Sequence, residues 1–242
     1  MKVLNDVLGY SNLKIYQDNN FFSFSLDSVI LGNYCTIRKR DKKILDVCTG
    51  NGIIPLILSK RTNKKIVGVE VLKNLSDLAN ESVSYNNLGN QIDIINDDIK
   101  NYSKNHLNEY DLLVCNPPYF KVSDKSLFND SYEKMIARHE VLLNLSELCD
   151  CAKKVLKDNG NICIVHRVDR LMDVLSEFRN HGIEPKRIKF VHEYINKESY
   201  LVLIEGQKHG KPGLRVDEPL ILYNSDKNCT DEYRLLQLEV RK

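Results

Sequence analysis

Asn116-Pro117-Pro118-Tyr119 closes the apolar run Asp111-Leu112-Leu113-Val114-Cys115. Two prolines stop a strand and stiffen the turn after it. The Asn116 side-chain carbonyl and the Pro117 backbone carbonyl are each able to accept one N–H bond from an amino group. An amino group on an aromatic ring is a poor nucleophile, because its lone pair is delocalised into the ring. Two acceptors gripping its hydrogens draw the nitrogen toward tetrahedral and free the lone pair to attack. Pro117 offers its carbonyl without a competing donor, and Tyr119 offers a ring face on which a planar target stacks. Phe120, the next residue, is a further candidate for that surface. Chemistry of this kind rests on positioning and electrostatics, with no strong base.

A second group lies upstream. Asp46-Val47-Cys48-Thr49-Gly50-Asn51-Gly52 follows the apolar Lys43–Cys48 run and precedes a helical pattern. Glycines at such a junction let the backbone turn tightly and approach a ligand. Glu70 ends Val67-Gly68-Val69-Glu70, where a carboxylate suits the two hydroxyls of a ribose. Asp97 and Asp98 end the next apolar run, and position favours Asp98. Singly, each acid reads equally as a solvated loop carboxylate or a helix cap. Jointly, acids and glycines at the ends of successive strands suit a nucleotide-like cofactor. The G-x-G-x-x-G spacing of dinucleotide binders is absent.

These residues need a scaffold. Strands are expected at Lys43–Cys48, Lys65–Val71, Gln91–Asn96, Tyr110–Cys115 and Asn161–His166, with helices at Ile53–Lys60, Asn74–Leu88, Ser146–Leu156 and Arg170–His181. Asp158-Asn159-Gly160 closes the third of these helices. Ile188–Tyr194 and Tyr200–Glu205 follow with no room for a helix between them, which makes a hairpin. Alternating strands and helices predict an α/β fold, a mostly parallel sheet with helices on both faces and one antiparallel strand from the hairpin. Ahead of the core, Asp27 is expected to cap a helix over Ser28–Ile37. The division reads as an N-terminal cap segment (1–41), a core (42–208) with a substrate-side insertion (119–140), and a polar tail (209–242) packing on or extending the core.

Composition sets bounds. The chain has 242 residues, 42% hydrophobic and 28% charged, with a net charge of +2. That suits one sizeable core. No apolar run is long enough for a membrane helix, and the first residues do not read as a signal peptide. Seven cysteines without a CxxC pair fit a reducing cytoplasm. No metal site is expected, Cys149-Asp150-Cys151 included. The basic runs Arg38–Lys43 and Lys60–Lys65 read as solvated ends unless they converge on one face.

The Asp46–Gly52 loop resembles the D-x-G-x-G-x-G loop of S-adenosylmethionine (SAM)-dependent methyltransferases, with Cys48 at the first glycine. The fold this implies is the Rossmann-like class I methyltransferase fold, with a seven-stranded sheet whose last strand is inserted antiparallel. It implies SAM as cofactor, S-adenosylhomocysteine as product, and Asp46, Thr49, Gly50, Gly52, Glu70, Asp98 and Asn116 as its contacts. Asn-Pro-Pro-Tyr in that setting marks amino-methyl transfer, with Asn116, Pro117 and Tyr119 as catalytic residues. Relatives carrying it methylate adenine in DNA or RNA, guanine N2, or a release-factor glutamine. The flanks narrow this choice. Phe22-Ser23-Phe24-Ser25-Leu26-Asp27-Ser28-Val29-Ile30-Leu31 resembles the F-x-F-S-x-D-S-V-L-L stretch of the bacterial tRNA(Val) adenine-37 N6-methyltransferase family. Leu201–Gly206, the Lys208–Leu214 segment and Pro219-Leu220-Ile221-Leu222-Tyr223 resemble its ending. The resemblance spans nearly the whole chain and implies N6-methylation of adenine 37 in a tRNA anticodon loop. The expected partner is tRNA, with Tyr119, Phe120, Lys211 and Arg215 as candidate contacts, in a cytoplasmic monomer or weak dimer. A protein-glutamine or rRNA/DNA amino-methyltransferase, and an idle RNA-binding module on the same fold, are the alternatives.

Overall fold

A computed structural model describes residues 1–18, 25–118 and 142–238. Tyr119, Phe120, the rest of the 119–140 insertion and the phenylalanines Phe21, Phe22 and Phe24 lie outside the described residues.

The chain opens with a hairpin, β1 (Lys2–Val7) and β2 (Tyr10–Asp18), then α1 (Leu26–Tyr34). Strands and helices then alternate: β3 (Lys43–Val47), α2 (Ile53–Arg61), β4 (Lys65–Glu70), α3 (Lys73–Tyr85), β5 (Ile92–Asn96), α4 (Ile99–Asn105) and β6 (Tyr110–Cys115). After the insertion come α5 (Leu145–Val155), β7 (Leu156–Arg167), a 3-10 turn (Val168–Arg170), α6 (Leu171–Asn180), and the long pair β8 (Ile183–Tyr194) and β9 (Ser199–Lys208). The tail adds β10 (Arg215–Val216), β11 (Leu220–Tyr223) and α7 (Asp231–Leu238).

The main sheet runs β10-β8-β9-β7-β6-β3-β4-β5, with β11 also paired to β8. Neighbours from β5 to β7 are parallel, and β9 lies antiparallel to both β7 and β8. This is the expected mostly parallel sheet with its inserted antiparallel strand. The chain winds from β3 outward to β5, then crosses back to place β6 on the other side of β3. That reversal opens a crevice at the carboxyl ends of β3 and β6, where open α/β sheets bind ligands.

Both faces of the sheet are covered, so its strands are near-continuous apolar runs. Ile44, Leu112 and Val114 face α1 and α2, together with Leu13 and Ile15 of the hairpin. Leu45, Val47, Leu113 and Cys115 face α4, α5 and α6 on the other side. The hairpin is seated by side chains: Asn86 at the end of α3 both donates to the Lys14 carbonyl (2.6 Å) and accepts from the Lys14 N–H (3.0 Å).

Several expectations need correction. Helix α1 starts earlier than Ser28 and ends at Tyr34, with Ser25 at the N-cap position and Asp27 inside the first turn. It stops because Thr36 turns away, giving its backbone N–H (2.6 Å) and hydroxyl (3.0 Å) to the buried Glu205 carboxylate. Strand β7 begins at Leu156. Asn159 adopts φ +60° there, and the ladder with β6 resumes at Asn161 after a register shift. Two features were not anticipated, the β1–β2 hairpin and the short helix α4, and the tail adds two strands parallel to β8 that bring the expected seven-stranded sheet to nine.

Candidate active site

The β3–α2 loop is built from left-handed backbone. Cys48 has φ +57°, Gly50 +59° and Gly52 +88°. Three such residues in five fold the chain back on itself and expose its amides at the carboxyl edge. The loop is anchored to β4, where the Thr49 N–H donates to the Val69 carbonyl at 3.2 Å. The Thr49 hydroxyl donates to Asp46 Oδ2 at 2.5 Å. Close seating of the loop requires Gly68, because a Cβ there would lie 2.8 Å from the Thr49 hydroxyl oxygen.

Glu70, at the end of β4, accepts the Gly50 N–H at 2.8 Å and the Leu72 N–H at 3.0 Å. It thus reaches from its own strand to the glycine loop. The carboxylate is buried, and burial pushes its pKa up against the lowering effect of those backbone donors. Its two oxygens have acceptor capacity beyond two amides, which is what a pair of ribose hydroxyls requires. Asp97 and Asp98 follow β5 and line the same narrow crevice as Cys48, Glu70, Ile99 and Leu143. Asp98 Oδ1 also accepts the Lys100 N–H at 2.8 Å, capping α4. Lys100 in turn donates to the Leu142 carbonyl at 2.8 Å, tying α4 to the start of the chain after the insertion.

Asp46 is fully buried, and burial raises its pKa well above the usual carboxylate range. Its Oδ1 has no hydrogen-bond partner among the described residues. A buried acceptor left unsatisfied is costly, and a donor-bearing ligand relieves that cost. A Cβ built on Gly50 meets no atom within 4 Å, so the loop crest is open to close approach. An orphaned acceptor, an open glycine crest and a ring of carboxylates fit SAM, whose ammonium, ribose and adenine all donate hydrogen bonds. Asp46, Gly50, Glu70 and the Asp97/Asp98 pair are the residues that would hold it.

Asn116 follows β6 on the strand beside β3. Its Nδ2 donates to the Ser28 hydroxyl at 2.8 Å and lies 3.4 Å from the Ser25 hydroxyl. With the amide nitrogen turned to α1, the carbonyl oxygen points the other way. The fold therefore brings Asp46, Thr49, Gly50, Gly52, Glu70, Asp98 and Asn116 to one edge of the sheet. Sequence reasoning missed Ser25 and Ser28 as neighbours of Asn116. The available signal was their spacing of three at a helix start, which puts both hydroxyls on one face.

Lys211 and Arg215 are not brought to this edge. The Lys211 carbonyl accepts from Lys186 Nζ at 2.9 Å, beside the start of β8. Arg215 sits on β10, four strands from β6, with its guanidinium on Asp217 at 2.9 Å. The basic runs are also elsewhere. Arg38 holds Asp41 and the Asp111 and Asn159 carbonyls, and Lys64 holds the Arg38 carbonyl, all at the amino ends of the strands. Burial pushes the thiols of Cys115 and Cys163 well above their ordinary values. Among the described residues no group of three or more His, Cys, Asp or Glu could hold a metal ion.

Known proteins similar to this chain share its fold. The family model of the methyltransferase small domain matches residues 13–190. A protein of Parabacteroides distasonis named tRNA1(Val) (adenine(37)-N6)-methyltransferase is 26% identical, over 83% of each chain. One of the same name from Tolumonas auensis is 28% identical, over 93% of this chain and 92% of its own. Among solved structures, the predicted O-methyltransferase Atu636 of Agrobacterium tumefaciens superposes with TM-score 0.71 at 14% identity, covering 89% of this chain and 97% of its own. M. jannaschii TYW2 in complex with AdoMet gives 0.59 at 13% identity, covering 85% of each chain. The crevice at the carboxyl edge of the sheet, with buried Asp46 and Glu70 beside half-exposed Asp97 and Asp98, and the match over residues 13–190 lead to one assignment: the chain belongs to the methyltransferase small-domain family.

Proposed function

We propose that this protein transfers the methyl group of SAM to the N6 amino group of an adenine in tRNA, adenine 37 in the anticodon loop of a valine tRNA. The observation that carries the reading is the placement of Asn116. It stands at the end of β6, beside the strand that leads into the glycine loop, with its amide nitrogen turned away by Ser28. The shared name of the relatives, over most of their lengths, supports adenine 37 as the target.

When bound, SAM supplies an electrophilic methyl on a sulfonium. The protein's own residues do the rest. Glu70 would receive the ribose hydroxyls, the Asp97/Asp98 pair the adenine amino group, and Asp46 Oδ1 a donor from the amino-acid end. The target adenine leaves the loop stack and rests on Tyr119 and Phe120. Asn116 Oδ1 and the Pro117 carbonyl each accept one N6 hydrogen and aim the lone pair at the methyl. Transfer is direct, with no covalent intermediate, and the cationic product loses its proton to solvent. Segment 1–41 caps the core (42–208), and 119–140 forms the substrate side. Lys211 and Arg215 on the tail (209–242) belong to a peripheral phosphate contact, away from the reacting base. The setting is cytoplasmic, and the working form a monomer or weak dimer.

The test is mass spectrometry of nucleosides from total tRNA of cells with and without the gene, followed by mapping of the changed position. N6-methyladenosine is expected to vanish from one anticodon loop and to return with wild-type protein. Asn116→Ala is expected to lower kcat by roughly 10²-fold or more, as loss of a transition-state contact does, with SAM affinity nearly unchanged. An unchanged tRNA profile would sink the substrate assignment and redirect the assay to rRNA and release-factor glutamine.

A further inference from the structure

The proposed chemistry asks Asn116 to present an acceptor, yet a carboxamide has two faces of similar shape. Turned one way it offers Oδ1; flipped, it offers an NH2 group. A flipped Asn116 would set two donors against the two hydrogens of the incoming amino group, and the lone pair would not be aimed. Something must choose between the two orientations.

Strand β6 ends at Cys115, and Pro117 and Pro118 limit the backbone beyond it, but neither fixes the Asn116 side-chain torsion. Among the described residues, two side-chain hydroxyls at the start of α1 reach its amide nitrogen. Ser28 is buried, 6% exposed, with Oγ 2.8 Å from Asn116 Nδ2. Ser25 Oγ lies at 3.4 Å. A serine oxygen carries two lone pairs able to receive an N–H, and both hydroxyls converge on Nδ2. Nδ2 of an amide can only donate. The helix that carries Ser28 is itself fixed: Ile30 and Leu31 are in the core, and Tyr10 donates to Asn33 at 2.7 Å from the hairpin.

We infer that Ser28, assisted by Ser25, is a positioning residue that holds the Asn116 amide with its carbonyl turned to the substrate. This inference rests on the amino-methyl transfer proposed above and adds a requirement to it. Ser28 touches neither cofactor nor base; it acts through Asn116. It also gives the Ser25-Leu26-Asp27-Ser28 stretch a role in catalysis, since its two hydroxyls span one helical turn beside the reacting group.

The experiment compares wild type, Ser28→Ala, Ser28→Thr and Ser25→Ala with tRNA and SAM. Loss of one hydrogen bond corresponds to about a tenfold change. Ser28→Ala is expected to lower kcat about tenfold, with KM for tRNA and SAM affinity within about twofold. Ser28→Thr, which keeps the hydroxyl, is expected to restore kcat to within about threefold of wild type. Ser25→Ala, removing the more distant oxygen, costs less than Ser28→Ala. Alongside, the side-chain NH2 signals of Asn116 are followed by 15N NMR, assigned by their absence in Asn116→Asp. They are expected to exchange slowly with solvent in wild type and faster in Ser28→Ala. Unchanged kcat in Ser28→Ala, parallel loss of kcat and SAM affinity, or rapid exchange of the wild-type amide would each overturn the inference. If wild type methylates no tRNA, the substrate reading fails by itself, and the NMR exchange still decides whether Ser28 holds Asn116.

Discussion

Cys48 occupies a left-handed backbone conformation, φ +57°, where a Cβ costs about 1–2 kcal/mol. That is why a glycine stands at this point in the pattern the loop resembles. The thiol offsets part of the cost by packing on the core that includes Cys115. Two residues earlier, Asp46 stores a different kind of cost. Its folded pKa lies above the unfolded value because burial disfavours the charge. The folded state then binds more protons than the unfolded state, so Asp46 is harmless in acid and destabilises as pH rises through its raised folded value. Asp46→Asn keeps an acceptor for Thr49 and removes the charge. Its Tm is expected to exceed wild type by about 2–4 °C near pH 8, with the gain shrinking toward pH 4.5. SAM binding should weaken about tenfold, the equivalent of one good hydrogen bond. Calorimetric scans across pH and titration with SAM check both. A gain that does not depend on pH would show that the Asp46 charge is compensated.

At the scale of elements, the glycine loop works as a unit with β4. Thr49 bonds to the Val69 backbone and Gly50 to the Glu70 carboxylate, so two strands and a loop are locked in one register. Gly68 is the gap through which they meet. Gly68→Ala places a methyl 2.8 Å from Thr49 Oγ1 and 2.8 Å from Ile94 Cδ1. Overpacking of this kind costs about 1–3 kcal/mol, and here it pushes Thr49 off Asp46. Urea unfolding should show that loss, and SAM affinity should fall about tenfold with it. Retention of both values would mean that the loop is not seated on β4 as described. Helix α4 teaches a related point. It is seven residues long and polar, and it exists because Asp98 caps it and Lys100 bridges to Leu142 and Glu147.

Across the whole molecule, the tail completes the sheet. Leu220 and Leu222 pack in the same core as α1, and Tyr233 of α7 joins them. Glu205 on β9 binds Thr36 and lies 3.2 Å from Arg187 on β8, which also bonds the Tyr34 carbonyl at 2.8 Å. The helix that carries Ser28 is thus held from the tail side of the sheet as well as from the hairpin. Leu220→Ala is expected to cost about 2–4 kcal/mol, the range for a fully buried leucine. Leu214→Ala, at an exposed position, should stay within about 0.5 kcal/mol. Equal, small effects in denaturant titrations would show that the tail is not part of the cooperative unit.

The sequence by itself determined the parallel core and the chemistry. Apolar runs bounded by glycine, acid or proline mark the strands and the places where they end, and at such ends open α/β sheets bind ligands. Asn116-Pro117-Pro118 and Asp46–Gly52 were legible because their types and spacing are local. The tertiary structure decided everything that depends on contacts between distant segments. Ser25 and Ser28 meet Asn116 across 91 and 88 residues of chain. Strand β10, two residues long, has no periodicity to read and forms only because β8 presents an edge. Lys211 and Arg215 look like site residues from composition, yet register carries them away from the crevice. Local patterns record what a segment prefers to be; which side chains meet depends on how the sheet winds, and that is a property of the whole chain.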